Sequence, residues 1–343
     1  MARIFQLMSD WEGSGKLRGL IPGAALVQLG HEVMCSGNPG TKGPDGTTFA
    51  ATADVWIGHR TDSADGSALV QGLARMPRTA MLVIDIDDNV WHVHPSNPAY
   101  SLGFPHRLGK NCSVVDLVTV CSHGLAEFVE FNSTPKRLAV VPNCLPEAVT
   151  ELERDPAGDL VKLIWGGSSS HIIDVPILRR VLPRIERTFD VRLLGAPFNL
   201  GIDPSMVEHV PWSDNIVGYW RMIDGDIGLA PLADEVFNLG KSDLKVLEYM
   251  ARGIPFVASR VGPFAEIAHL HGKAGFFVSS DDEWVEAIHA LIDDETLRKR
   301  LGEHGKEWMR SCRLDRHGAE ERERLFGIAQ RRGERGVYAE SVG

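Results

Sequence analysis

Long apolar runs are missing from this chain. No stretch approaches the roughly 18 residues that a membrane-spanning helix needs, and the opening MARIFQLMSDWEG turns polar after a short apolar stretch. A cytoplasmic location without a membrane span is the expectation. Cysteine is sparse as well. Cys35, Cys112, Cys121, Cys144 and Cys312 are scattered, odd in number and never in CxxC spacing, which excludes a zinc ribbon and a disulfide framework and fits a reducing compartment. Excess basic charge is also absent. Lys plus Arg number 36 against 46 Asp plus Glu, a net charge of -10, so sequence-independent binding to a phosphate backbone is disfavoured. Low-complexity segments and 20 to 50 residue repeats do not occur, which removes solenoids and propellers. What is present is an ordinary globular balance, 43% hydrophobic and 24% charged, in 343 residues, a length that suits two α/β domains better than one core.

The first half alternates short apolar strands with polar or glycine-rich turns and helical patterns, as a parallel sheet covered by helices requires. Strands are expected at 3–8, 31–35, 55–57, 81–84, 117–120 and 138–141, with a helix over 19–29 after a glycine-rich turn. Residues 142–159, rich in prolines and acids, read as a connection. A second α/β unit follows, with strands at 160–165, 191–194, 226–230, 255–259 and 275–278 and helices at 175–188, 242–252 and 281–293. The domain expectation is therefore 1–155, 156–318, and a charged helix with a tail over 319–343.

Chemistry concentrates in 226–266, DIGLAPLADEVFNLGKSDLKVLEYMARGIPFVASRVGPFAE. A buried strand, a polar loop, a helix whose first turn carries Lys241 and Ser242, a closing Gly253 and a second strand ending in a glycine loop succeed one another. Free N–H groups and the positive dipole end of such a helix suit a phosphate, and Glu248 can accept from a sugar hydroxyl. The same spacing fits an amphipathic helix with Lys241 and Glu248 on its solvated face, and the residues alone leave both readings open.

This stretch resembles the donor-binding signature of retaining nucleotide-sugar glycosyltransferases of group 1 type, with Leu247 to Pro255 matching L-E-x-M-A-x-G-x-P. The resemblance implies a GT-B fold: two Rossmann-like lobes, α/β, with parallel sheets facing across a cleft, the first taking the acceptor and the second the nucleotide-sugar. It gives Glu248 the ribose, and gives Asn238, Leu239, Gly240, Lys241 and Ser242 the donor sugar and diphosphate. Gly240 stands where many members carry an acid, and Asp234 and Glu235 lie upstream. The segment from Trp165 through Gly167, Ser168 and His171 to Asp174 resembles the loop that opens the nucleotide lobe. Asp10 to Arg18, with Gly13 and Gly15, resembles the glycine loop of the other lobe. Val83 to Trp91 and Thr119 to Asn143 further resemble glycosyltransferase-like proteins of actinobacterial phages, which would place the work in a host cytoplasm.

The implied function is hexosyltransferase-like transfer (EC 2.4) from a nucleoside-diphosphate sugar to an acceptor hydroxyl, with retention and without a metal or other cofactor. The acceptor is a virion protein, a glycan or a modified DNA base. Lys241, Ser242 and the helix start stabilise the leaving phosphate, while His59 or Asp87 orients the acceptor. A nucleotide-sugar epimerase and a non-catalytic nucleotide-sugar binding protein remain the alternatives. Against a nicotinamide enzyme, GSGKLRG carries Arg18 where GxGxxG ends in Gly or Ala. Asp85, Asp87 and Asp88 look like a DxD metal motif but end a strand of the first lobe. Trp91, with His92 and His94, offers a sugar-stacking face, and His269 with His271 lacks a third metal ligand. A basic run, Arg179, Arg180, Arg184 and Arg187, is the one feature favouring nucleic acid.

Overall fold

A computed structural model describes residues 1–328 apart from 12, 94, 96–103, 156–157 and 214. The expected tail beyond 328, and with it His94 and Glu12, lies outside the described residues. The chain divides into two compact units.

In the first unit, β1 (Arg3–Leu7), β2 (Glu32–Ser36), β3 (Val55–His59), β4 (Met81–Ile86), β5 (Leu117–Val120) and β6 (Leu138–Val140) form one sheet in the order β2-β1-β3-β4-β5-β6. All neighbours in it are parallel. Helices α1 (Ile21–Gln28), α2 (Ala64–Arg75), α3 (Phe104–Cys112) and α4 (His123–Asn132) accompany it. Strands covered on both faces need apolar side chains at every position, and β3 and β5 are buried throughout. Serine sets two of the helix starts: Ser63 Oγ accepts from Gly66 N at 3.1 Å and Ser122 Oγ from Leu125 N at 3.2 Å.

The second unit begins with α5 (Glu147–Thr150) and builds a second parallel sheet. Its strands are β7 (Val161–Gly167), β8 (Phe189–Gly195), β9 (Val207–Val210), β10 (Ile227–Ala230), β11 (Phe256–Ser259) and β12 (Gly275–Val278), in the order β12-β11-β10-β7-β8-β9. Around them run α6 (Val175–Val181), α7 (Ile216–Met222), α8 (Val236–Leu239), α9 (Leu244–Ala251), α10 (Pro263–Glu266), α11 (Asp281–Asp293) and α12 (Glu295–Cys312). The helix expected over 175–188 stops at Val181 and tightens into the turn Leu182–Arg184, because Pro183 has no N–H to continue the ladder. Strand β9 and helix α12 escaped the sequence reading. The first is a short edge strand with Glu208 and His209 exposed, and the second is strongly polar with only a narrow buried stripe.

The chain then returns to the first unit. Helix α13 (Asp315–Phe326) packs on α1, and its Ala319, Leu325 and Phe326 join Ile4, Leu26, Val55 and Val83 in one apolar cluster. His31 Nε2 meets Glu323 Oε1 at 2.7 Å, and Arg137 Nη2 donates to the Leu325 carbonyl at 3.1 Å. The first unit thus comprises the described residues of 1–91, 104–144 and 314–328, and the second those of 92–95 and 145–313. The expected boundaries at 155 and 318 differ from this, and 319–328 is part of the first unit. Among the described residues no helix is long and apolar enough to cross a membrane.

Candidate functional site

Open parallel sheets bind ligands beyond the carboxyl ends of the strands, where the strand order reverses. In the second sheet that point lies between β7 and β10, and three loops meet there. Strand β7 ends at Gly167, where a Cβ would stand 2.7 Å from the Trp165 ring and 2.8 Å from His171 Cδ2, so only glycine fits. Ser168 is exposed; its Oγ accepts from Ser170 N at 3.3 Å. The chain then turns through Ser169–Ile173 into Asp174.

Asp174 is the hub. Fully buried, its Oδ2 meets His171 Nδ1 at 2.7 Å, while Oδ1 accepts from Ala233 N and from Asn238 Nδ2, both at 2.8 Å. Asn238 Nδ2 also donates to the Ala233 carbonyl at 2.9 Å, and Asn238 Oδ1 is buried without a hydrogen-bond partner among the described residues. One carboxylate therefore ties the loop after β7 to the loop after β10. Burial, with Lys241 and Lys245 adding to it, pushes His171 below its ordinary pKa, against the pull of Asp174. The loop after β11 closes on the same place. A Cβ on Gly262, which has φ +52°, would stand 2.4 Å from the Asn238 carbonyl oxygen, and Ser259 Oγ accepts from Leu232 N at 3.0 Å.

Lys241 and Ser242 are half-buried in the turn between α8 and α9, not in the first turn of the helix as expected. The helix starts at Leu244, and Asp243 at its N-cap position makes no side-chain cap but an ion pair with Arg313. Lys241 Nζ lies 4.6 Å from the centre of the Phe237 ring. Leu239 is exposed, Gly240 is buried, and Asp234 and Glu235 point to solvent. Gly253, at φ +65°, closes α9 as its sequence position suggested. Glu248 is 2% exposed and already accepts from Tyr219 Oη at 3.1 Å and Trp220 Nε1 at 3.3 Å. Two hydrogen bonds leave a carboxylate with spare lone pairs. Burial raises the Glu248 carboxyl above its usual value, with Lys245, Tyr219 and Trp220 opposing.

In the first sheet the order reverses between β1 and β3. The loop after β1 is tight: a Cβ on Gly15 would stand 2.1 Å from the Asp10 carbonyl oxygen, and Gly15 N donates to Asp10 Oδ1 at 2.9 Å, whereas Gly13 has open space. The chain then winds through a π-helical turn, Gly15–Leu20, a form often found near functional sites. That turn buries Arg18. Its guanidinium grips Asp85 with two bonds of 2.8 Å and donates to the Val141 carbonyl at 2.7 Å. Arg18 thus stands in the third fingerprint position because the fold uses it as a buried cation. Thr119 Oγ1 adds a bond of 2.7 Å to Asp85. Burial works against charge on Asp85, but Arg18 overrides it and holds the carboxyl far below the usual range. Arg322 of α13 lies 3.9 Å from the same carboxylate and is pushed down to about 10 by burial and by Arg18.

His59 is buried at the end of β3, with Nε2 2.7 Å from Gln6 Oε1. Asp87 is half-buried; burial and Asp88 push its carboxyl up, while Arg60 and a hydrogen bond from Ser14 oppose. Asp85 and Asp87 are therefore differently employed, the first in an ion pair and the second beside Ser14 and Arg60. Trp91 is half-buried against the first unit's core, and His92 is exposed. Cys121 Sγ donates to the Asp87 carbonyl at 3.2 Å, Ser122 caps α4, and His271 Nδ1 accepts from Phe277 N at 3.1 Å. Three of the four arginines in the run are ion-paired, Arg180 with Asp281, Arg184 with Asp282 and Arg187 with Asp293, while Arg179 Nε donates to the Asn199 carbonyl.

The sequence reading named residues in the loops after β7 and β10, which the structure brings together, but gave no role to Asp174 as their link, to Lys245 or to the Tyr219–Trp220 pair. The i, i+3 spacing of His171 and Asp174 was the available signal for the hub.

Residues 174–294, which begin at Asp174, match the family model for glycosyl transferases group 1. D-inositol 3-phosphate glycosyltransferase of Corynebacterium efficiens is 31% identical over 173 residues, 50% of this chain and 36% of that protein. The chain therefore matches about a third of the length of this curated relative. Among solved structures, sucrose-phosphate synthase from Thermosynechococcus elongatus superposes with a TM-score of 0.72 at 13% identity, covering 99% of this chain and 100% of the other. Anabaena HepE in complex with UDP and glucose gives 0.67 at 14% identity over 94% and 98%. A glycosyltransferase from Rickettsia africae gives 0.65 at 12% over 94% and 97%. The two six-stranded α/β units are those of the GT-B fold.

Proposed function

We propose that the protein is a group 1 type glycosyltransferase that moves a sugar from a nucleoside-diphosphate sugar to an acceptor hydroxyl with retention. The observation that carries this reading is the overlap of the matched segment, 174–294, with the three loops joined by Asp174 and with the turn carrying Lys241 and Ser242. The likeness to a structure holding UDP and glucose supports a nucleotide donor.

In this account the diphosphate lies against Ser168, Lys241 and Ser242, with Glu248 toward the ribose. As the glycosidic bond breaks, negative charge builds on the leaving phosphate. The Lys241 ammonium and the dipole of α9 meet it, and Lys245 adds a second cation nearby; such groups act most strongly where water is excluded. Burial and Lys241 push Lys245 below its ordinary value, with Glu248 opposing, so an arriving diphosphate favours its charged form. No metal is required. His171 is neutral at neutral pH in this account, its Nδ1 proton held by Asp174. The acceptor is taken by the first unit, where His59 and Asp87 are the candidates for orienting its hydroxyl. The paired arginines of 179–187 speak for a protein or glycan acceptor rather than a DNA base.

The test is a thermal-shift panel of UDP-, GDP-, ADP- and TDP-sugars with NAD and NADP as controls, since a ligand bound to the native state raises its stability. Stabilisation by one nucleotide-sugar class, followed by nucleoside diphosphate release in the presence of EDTA and an acceptor extract, is the expected result. Stabilisation by NAD alone removes the reading.

A further inference from the structure

The carboxyl edge of the first sheet holds a site whose ligand chemistry the preceding reading leaves open; its role as an acceptor site rests on that reading, its binding chemistry does not. A cavity of about 1030 Å³ opens there between the loop after β1, with Asp10, Trp11 and Ser14, and the turn after β3, with Arg60, Thr61 and Asp62. That volume accommodates a ligand of small-molecule size.

Three observations bear on what enters. Trp11, 50% exposed, lines the cavity and offers a flat aromatic face. Thr61 and Asp62 are 4% and 7% exposed, yet Thr61 Oγ1 and Asp62 Oδ2 have no hydrogen-bond partner among the described residues. Buried polar atoms without partners are rare and call for an explanation; His59 Nδ1 and Arg60 Nε share that state, so four consecutive residues in the wall of one cavity carry such an atom. The third observation is charge. Asp10, Asp62 and Asp65 line the cavity against Arg60, the one Lys or Arg among its described lining residues, whose charge Asp87 and Asp88 also claim. Arg60 Nε is itself buried without a hydrogen-bond partner among the described residues, but its guanidinium stands 3.9 Å from Asp62 Oδ2 and in the field of Asp10, Asp87 and Asp88, so the donor it offers suits a hydroxyl and an entering anion meets a surplus of carboxylates.

We propose that this cavity binds a hydroxylated ring without negative charge, a neutral or amino-substituted sugar or cyclitol, stacked on Trp11 and hydrogen-bonded by Thr61 and Asp62, and that it rejects phosphorylated rings. This separates the chain from the curated relative reported above, whose name specifies a phosphorylated cyclitol. An amino group adds attraction to the carboxylates and a cation–π contact with Trp11.

The test follows the indole N–H signals of the ¹⁵N-labelled full chain during titration with glucose, glucosamine, myo-inositol, glucose 6-phosphate and glucosamine 6-phosphate. The Trp11 signal is assigned by its loss in Trp11→Phe. Expected is movement of Trp11 by at least one uncharged or amino ring, with its phosphate counterpart weaker by about tenfold or more. Thr61→Val and Asp62→Asn weaken that ring by about threefold or more, and Asp65→Lys narrows the gap to the phosphate. No movement of Trp11 by any uncharged or amino ring, phosphates binding as well as their parents, or indifference to both Thr61→Val and Asp62→Asn overturns the proposal. The nucleotide-sugar panel separates the two readings. A Trp11 response without donor stabilisation keeps this site and removes the glycosyltransferase function, and donor stabilisation without a Trp11 response does the reverse.

Discussion

The two sheets solve the same problem with opposite charge. Each is a six-stranded parallel sheet with one reversal of strand order, and each gathers its chemistry beyond the carboxyl ends at that reversal. At the first, the strongest interaction is a buried ion pair, Arg18 with Asp85, and the open space beside it is lined by carboxylates. At the second, the Asp174 carboxylate is consumed by His171 and by two bonds to the neighbouring loop, and Glu248 accepts from Tyr219 and Trp220, with Lys241 and Lys245 as the cations nearby. The difference teaches that topology chooses where a ligand sits, while the partners assigned to a few buried charges choose its sign.

Changes on the two sides separate these roles, beginning with the largest effect. Asp85→Ala leaves Arg18 and Arg322 buried without their carboxylate, and stability in denaturant should fall by about 3–5 kcal/mol. A loss under about 1 kcal/mol would mean that the first site is not organised by that pair. Lys241→Ala should lower turnover by about a hundredfold, roughly 3 kcal/mol of transition-state stabilisation, with stability little changed. Wild-type turnover in that variant would remove Lys241 from the chemistry.

Asp174→Ala strands the Ala233 N–H and the Asn238 amide, so a stability loss of about 2 kcal/mol is expected together with a raised KM for donor. A change in stability alone would make the hub purely architectural. Glu248→Ala should weaken nucleotide binding by about 1–3 kcal/mol, and Glu248→Gln by less, since an amide retains one acceptor for Tyr219 or Trp220. Equal affinity in calorimetric titrations of all three forms would show that Glu248 serves only that pair.

The smallest effect is in pH dependence. The folded protein holds His171 below the ordinary value of 6.5, so on acidification the unfolded chain takes the proton first. The stability that neutral His171 supports is complete above 6.5 and is lost as pH falls from there toward the lower folded value. His171→Gln should flatten the stability profile over that window. An unchanged slope would mean that His171 is not held neutral.

The strands were legible because parallel sheets demand unbroken apolar runs, and the runs over 55–57, 81–84 and 117–120 lie inside β3, β4 and β5. The turn holding Lys241 and Ser242 was legible from its glycine and its helix pattern, within two residues of the true start of α9. What stayed hidden depends on distance in sequence. Arg18 meets Asp85 across 67 positions and Asp174 meets Asn238 across 64, and no periodicity announces such a pair. The return of α13 to the first unit was hidden for the same reason, since its charged sequence conceals the stripe of Ala319, Leu325 and Phe326 that α1 covers. Placing His59 at a strand end was possible from the apolar run before it; its engagement with Gln6 was not.

The central claim is that the second unit's reversal point holds the diphosphate of a sugar donor. Its most direct test is calorimetric titration of the nucleoside diphosphate chosen by the thermal-shift panel into the wild-type chain and into Lys241→Ala. The account expects saturable one-to-one binding to the wild type and a weakening of about tenfold or more in the variant. Identical affinity in the two proteins, or no binding of any nucleoside diphosphate to the wild type, would contradict it.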